Sequence, residues 1–106
     1  MFEHFGNLMD AVKRVQQYID QTQAQLKEER ITLSSGDAIK VTVDGQQNIV
    51  SIELAPKYLS PENAVLLQDL LVATINGALA KSRDLQQAAM AKLASDLNLP
   101  KIPGLF

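Results

Sequence analysis

The side chains that could carry out catalysis or bind a metal are few in this sequence and lie far apart. His4 is the single histidine and cysteine is absent, so the chain offers neither a thiolate metal site nor a cysteine–histidine nucleophile. No serine lies at a diagnostic spacing from a histidine or a lysine. These observations predict a protein without catalytic residues, without a metal or cofactor, and without a small-molecule substrate.

Two acidic patterns and one loop also fall short of a functional motif. Glu28–Glu29 and the separated Asp10 and Asp20 are typical of solvated helix faces. The loop "SSGD" at residues 34–37 lacks the glycines and the lysine of a phosphate-binding loop. Binding or scaffolding is therefore favoured over catalysis.

Basic residues are the remaining candidates for a binding site. The net charge of −2 gives no general attraction to nucleic acid. Residues 81–106 are nevertheless net basic, because four basic residues there outnumber two acidic ones, and a second basic spot lies near residue 13. The positions are Lys13, Arg14, Lys81, Arg83, Lys92 and Lys101. On charge alone, a plain solvated surface is favoured over phosphate contacts at these positions.

Hydrophobic periodicity predicts the elements that must hold these residues. An apolar seam with steps of three and four predicts a helix over about 4–30. Its members are Leu8, Val12, Val15, Ile19, Thr22 and Leu26. Alternation in twos then predicts strands over about 31–35, 38–44 and 48–54, with a phase break at Ile49 that indicates either a bulge or a strand covered on both faces. Asp44–Gly45 is expected to use positive φ in the turn between the last two strands.

The second long helix is predicted over about 61–96, followed by a tail at 97–106. Ser60 is expected to cap it and Pro61 to take its first position. Gly77, inside the helix, is expected to mark close packing against the sheet or another helix. The result is a single α+β domain over 1–106, of order α–β–β–β–α, with a three-stranded antiparallel sheet between two long helices.

Helix length predicts an intertwined homodimer. At about 1.5 Å per residue the helices are roughly 40 and 54 Å long, whereas a compact domain of this size is only about 30–35 Å across. The first half of the second helix is apolar on two sides, and one sheet covers one side. A second copy would cover the other side and the projecting seams.

Composition predicts a cytoplasmic location. With 46% apolar and 21% charged residues, the chain has the composition of an ordinary globular domain. No apolar run is expected to approach the about 20 residues of a membrane span, and the start lacks the basic and apolar regions of a signal peptide. No membrane partner is expected.

Taken together, the pattern resembles the YbaB/EbfC family of small bacterial nucleoid-associated DNA-binding proteins. Four stretches carry the resemblance in the right order: "GNLMDAVKRVQQ", "IKVTVDGQQNIVSIELAP", "LLQDLLVATINGALAKS" and "LNLPKIPGLF". The chain departs from the family pattern in its more acidic first helix and in Gly77, where the family usually has an acidic residue.

The resemblance implies a homodimer with protruding helices, binding to double-stranded DNA with little sequence specificity, and a role in the nucleoid or in gene regulation. Carried onto this sequence, the DNA contacts would fall on Lys13, Arg14, Lys81, Arg83, Lys92 and Lys101. The alternative is a dimeric protein–protein adaptor that uses the helix tips and the apolar tail and does not bind DNA.

Overall fold

A computed structural model describes residues 2–97, and the side chains from residue 6 onward. Lys101 and the predicted tail beyond Leu97 lie outside the described residues. The elements are α1 (Phe2–Glu28), β1 (Ile31–Ser35), β2 (Ile39–Val43), β3 (Ile49–Leu54), the 3-10 turns Pro56–Tyr58 and Pro61–Asn63, and α2 (Ala64–Asp96). The predicted α+β order is therefore confirmed.

The three strands form an antiparallel meander in the order β1-β2-β3. Along β2, Ile39, Val41 and Val43 point to one face and are almost fully buried. They pack against Leu67 and Ala78 of α2, which crosses this face of the sheet. The core is thus one face of β1 and β2 covered by the first half of α2, as expected from the alternation of apolar residues in the strands.

The predicted phase break in β3 is a β-bulge. Thr42 pairs with Ser51, whereas the next residue, Val43, pairs with Ile49, so Val50 is the extra residue. The other reading, a strand covered on both faces, is wrong, because β3 is exposed along most of its length.

Two details of the turns differ from expectation. The positive φ in the β2–β3 turn belongs to Gln47, at 61°, and not to Gly45. Gly45 is needed for a different reason: a Cβ built there would lie 2.6 Å from the backbone oxygen of Leu26. Ser60 makes no side-chain cap bond to α2 or to the turn before it; its Oγ accepts a hydrogen bond from Asn63 Nδ2 at 3.2 Å.

Gly77 lies where α2 passes closest to β1. A Cβ at this position would be 2.6 Å from Leu33 Cδ2. The expectation of close packing is confirmed, and the neighbour is the sheet. On the same face of α2, the Thr74 hydroxyl hydrogen-bonds to Ser35 and donates to the carbonyl oxygen of Leu70.

The described chain is elongated, with extents of 74 × 23 × 16 Å. Both helices continue past one end of the sheet, the end at which β2 turns into β3. The prediction that the helices project beyond their own sheet is confirmed.

Candidate nucleic-acid interface

The projecting parts of the two helices form an antiparallel pair. We call residues 2–22 of α1 and 83–96 of α2 the arm. A narrow apolar seam closes it, in which Leu93 and Ala94 of α2 are buried close to Thr22 of α1. Farther out, Tyr18 Oη donates a hydrogen bond to Asp96 Oδ2 at 2.6 Å. Among the side chains that the structure describes, the arm is therefore held by one short seam and one polar contact near the end of α2.

The outer half of α1 runs beyond the end of α2. Tyr18 lies beside Asp96, the last residue of α2, and about 24 Å of α1 lies N-terminal to Tyr18. Leu8, Met9 and Val12 on this stretch are exposed. The predicted seam thus finds a partner among the described residues only in its C-terminal half.

The described basic candidates are distributed along the arm. Lys81 and Arg83 flank the buried Ser82 at its base, Lys92 lies midway, and Lys13 with Arg14 lies on the outer part of α1. All five side chains are exposed. Lys101, the sixth candidate, lies outside the described residues. The cations are therefore spread along the length of the projection, with Lys81 and Arg83 on different sides of α2, and are not gathered into one cluster.

A groove of about 250 Å³ lies between the two helices of the arm. Its lining includes Tyr18, Gln21 and Gln25 from α1, and Ala89 and Lys92 from α2. The α1 residues are three and four positions apart, so they share one helix face. The groove therefore places one cation beside two neutral amides, and all three of these groups can donate hydrogen bonds to a phosphate.

Tyr18 is a site residue that sequence reasoning missed. Its hydrogen bond to Asp96 raises the pKa of the phenol above its ordinary value, and partial burial and the Asp96 charge act in the same direction. The phenol therefore remains protonated at neutral pH and keeps its proton in the bond that ties α1 to α2. The available signal in the sequence was the spacing of Tyr18, Gln21 and Gln25, which places an aromatic ring on the same helix face as two amides.

Acidic groups reduce the positive potential of the outer arm. Lys13 and Arg14 share a shallow depression with Asp10, Asn7 and Gln17. One carboxylate beside two cations leaves a local excess of one positive charge. Attraction to a polyanion is consequently modest at this position and falls with ionic strength.

The base of the arm is closed by the β2–β3 turn. Within the turn, Asp44 Oδ1 accepts hydrogen bonds from the backbone N–H groups of Gln46 at 2.8 Å and Asn48 at 3.0 Å, and its Oδ2 accepts one from Asn48 Nδ2 at 3.0 Å. Burial alone would raise the pKa of this carboxyl, but the hydrogen bonds from Asn48 and Gln46, with the charge of Arg30, hold the pKa below its ordinary value.

This lowered pKa predicts that the turn weakens in acid. The carboxylate stabilises the folded chain fully above the unfolded-state pKa of about 3.9, and that contribution is lost as the pH falls through the lower folded-state pKa. In thermal melts, Asp44→Asn should therefore lower Tm most above about pH 5, with the difference from wild type shrinking below about pH 4. Asp69→Asn, on an exposed face of α2, is the control. A difference independent of pH would contradict the assignment.

A second feature is an uncovered apolar surface on the body of the molecule. We call it the open face. It has two parts: Ile49 and Ile52 on β3, and Val65, Leu66 and Val72 on α2, where Val65 and Val72 lie on the side of the helix opposite the buried Leu67 and Ala78. All five residues are exposed. Val41 is 0% exposed while its partner across the ladder, Ile52, is 43% exposed. The helix that covers β1 and β2 therefore leaves the same face of β3 open.

Because its exposed side also carries apolar residues, α2 is unusually apolar over its whole circumference. Within Pro61–Asp96, an 18-residue window has a mean hydropathy of 1.3, and 17% of that window is buried. By length and composition alone this segment meets the criteria for crossing a membrane, which core helices of globular proteins also meet. The expectation that no segment of the chain is apolar enough for a membrane span is therefore wrong for this helix.

Comparison with known proteins identifies the family of this chain. The sequence matches the YbaB/EbfC DNA-binding family over residues 1–97. The chain belongs to the YbaB/EbfC DNA-binding family. The match spans both helices and the sheet, and hence the arm and the turn at its base, which confirms the resemblance seen in the sequence. The predicted tail motif, beyond residue 97, lies outside the family match.

Relatives within the YbaB/EbfC group align over nearly the whole chain. A nucleoid-associated protein from Alkaliphilus metalliredigens is 36% identical over 97% of this chain and 89% of its own length. One from Pelotomaculum thermopropionicum is 36% identical over 97% of this chain and 96% of its own length. One from Syntrophobacter fumaroxidans is 37% identical over 94% of this chain and 94% of its own length.

Proposed function

We propose that this chain is a non-enzymatic nucleoid-associated protein that binds double-stranded DNA as a homodimer. Binding has little sequence specificity, alters the conformation of the DNA and thereby affects gene expression. The observation that carries the proposal is membership of a DNA-binding family over residues 1–97, with relatives named nucleoid-associated proteins. Such a protein acts in the cytoplasm, at the nucleoid.

The arm is the proposed DNA contact. Its cations are exposed and unclustered, an arrangement that suits successive phosphates along a backbone better than a single base edge. The groove beside Lys92 adds neutral donors from Gln21 and Gln25. Few cations neutralise few phosphates, so we expect modest affinity that depends strongly on salt.

A second copy of the chain is the proposed cover of the open face. The α2 helix lies over β1 and β2 and leaves Ile52 on β3 uncovered, while the exposed Val65 and Val72 on α2 need a cover of their own. In a two-fold arrangement, the α2 helix of each copy would cover β3 of the other. We favour this over a lipid bilayer because α2 is hydrogen-bonded to β1 through Thr74 and to the β2–β3 turn through Ser82.

The test of DNA binding is a mobility shift on random-sequence duplex DNA across a salt series. Lys81→Ala, Arg83→Ala and Lys92→Ala combined should weaken binding about tenfold or more on every sequence, and the slope of log affinity against log salt should fall by about 0.9 for each phosphate that is no longer neutralised. Lys40→Ala with Lys57→Ala is the matched control, since both cations lie on the body and pair with Glu53 and Asp37. Equally weakened binding in both variants would exclude the arm as the DNA-binding surface.

The alternative function is a dimeric protein–protein adaptor. The acidic balance of the chain favours it, as do the exposed Leu8, Met9 and Val12 on the outer part of α1. A folded dimer that gives no mobility shift at low salt would reject DNA binding and favour the adaptor. Shifts on all duplexes, weakening with salt, would reject the adaptor as the sole function.

A further inference from the structure

Where the arm leaves the body of the protein, both of its helices contact one short turn. Residues 44–48 connect β2 to β3, and they contact the C-terminal end of α1 on one side and the middle of α2 on the other. We call this turn, with its partners on the helices, the joint. The covalent link from α1 to β1 is made by Glu29 and Arg30, so the direction of α1 has to be fixed by noncovalent contacts.

On the α2 side, the joint is fastened by Ser82. This serine is 0% exposed. Its Oγ donates to the Asp44 carbonyl oxygen at 2.7 Å and accepts from the Gln47 backbone N–H at 3.0 Å and from Gln47 Nε2 at 3.2 Å. Gln47 has a φ of 61°, a conformation that costs a non-glycine residue free energy. The two hydrogen bonds from Gln47 to the buried Ser82 hydroxyl help to hold Gln47 in this conformation.

On the α1 side, the same turn makes two contacts. The backbone N–H of Gly45 donates to the Leu26 carbonyl oxygen at 2.8 Å, which satisfies an acceptor at the end of α1. Gln46 Nε2 donates to both the backbone oxygen and the side-chain Oε1 of Gln23, each at 3.0 Å. The turn therefore lies between the two helices as a spacer with hydrogen bonds to each.

We propose that the joint sets the direction of α1 relative to α2 and the sheet, with Ser82 and Gln46 as positioning residues for the arm. The Ser82 hydroxyl fixes the turn on α2, and the Gln46 amide fixes α1 on the turn. Beyond the joint, only the seam around Leu93 and the Tyr18–Asp96 contact tie the described parts of the arm together. Loosening the joint therefore changes the distance from Lys13 and Arg14 to the cations of α2.

This inference stands on the contacts of the joint, and it deepens the proposed function in one respect. If the arm binds DNA, the joint determines the separation of the bound phosphates and hence the length of duplex that one dimer occupies. That last step rests on the proposed function, whereas the direction of the arm does not.

Distances between two spin labels test the joint directly. The natural chain has no cysteine, so Gln17→Cys on α1 and Lys40→Cys on β2 give two exposed attachment sites in an otherwise full-length protein. Labelled chains are refolded with an excess of unlabelled chains, so that distances within one chain dominate. Ser82→Ala and, separately, Gln46→Ala should shift the mean distance or at least double the width of the distribution.

Thr74→Ala is the matched control for Ser82→Ala. Thr74 carries another buried hydroxyl on the same face of α2, two turns earlier, but it contacts Ser35 and not the joint. Both variants should show a similar fall in Tm, and only Ser82→Ala should alter the label distances. Gln46 is only partly buried, so Gln46→Ala tests the joint should Ser82→Ala fail to fold.

The outcomes separate the two proposals. Unchanged label distances in folded Gln46→Ala and Ser82→Ala, or an equal change in Thr74→Ala, would contradict the proposal that the joint sets the direction of α1. Altered distances with a changed duplex length per dimer would support both proposals. If the variants alter the label distances but the wild type does not bind DNA, the role of the joint is supported and the proposed function is contradicted.

Discussion

Ile52→Glu should convert the proposed dimer to a folded monomer. Ile52 is 43% exposed on a face of the sheet whose neighbouring residue, Val41, is fully buried. Covering the 43% of this side chain that is still exposed is worth about 0.6–1.3 kcal/mol, and a two-fold interface loses it twice. The new carboxylate in each copy adds a desolvation penalty of several kcal/mol when it is buried. We therefore expect the dimer dissociation constant to rise at least about a thousandfold. Sedimentation velocity over a concentration series measures the change.

Ser51→Glu is the control for this substitution. Ser51 is exposed on the same strand and points to the opposite face of the sheet, so the same new charge should leave the dimer intact. Circular dichroism should show the same fold for both variants, since neither side chain is buried in the single chain. A dimer that survives Ile52→Glu, or a wild type that is monomeric at micromolar concentration, would contradict the proposed interface.

Gly45→Ala should cause a large loss of stability. The new Cβ would lie 2.6 Å from the backbone oxygen of Leu26 and 3.0 Å from its Cδ2. A backbone carbonyl at the end of a helix cannot move aside as a side-chain tip can, so the turn and α1 must separate. We expect the free energy of unfolding to fall by about 3 kcal/mol, measured by urea denaturation.

Gly6→Ala is the matched control, because nothing lies within 4 Å of a Cβ at that position. Gly6 lies within α1, where alanine is favoured over glycine by about 1 kcal/mol. This variant should be as stable as wild type or slightly more stable. Equal urea midpoints for Gly45→Ala and wild type would show that α1 does not depend on its close contact with the turn.

The sequence was sufficient to predict the fold because the relevant signals are local. Alternation along Ile39, Val41 and Val43 specified which face of β2 is buried, and the phase break at Ile49 located the bulge. The role of Gly45 could not be predicted because it depends on Leu26, nineteen positions earlier in the chain. A dipeptide pattern carries information on backbone conformation and none on which distant carbonyl approaches it.

The candidate site was less accessible from sequence. The basic residues could be named, but their spacing along the arm depended on how far α1 overlaps α2, which is fixed by contacts such as Tyr18 with Asp96. Ser82 resembles any other small polar residue in an alanine-rich helix. Its position in the row Thr74, Ala78, Ser82, spaced by four, was the signal that it faces the body of the protein.

The length of α1 gives small rotations a large effect through leverage. Lys13 lies thirteen residues from Leu26 at the joint, which is about 20 Å along α1, so a rotation of about 10° at the joint moves Lys13 by about 3.5 Å. That displacement matches the spacing of about 3.4 Å between successive phosphates along the axis of one DNA strand. If the arm binds DNA as proposed, a single buried hydroxyl at its base would thus decide the register in which Lys13 contacts the phosphates, although the hydroxyl itself never touches the DNA.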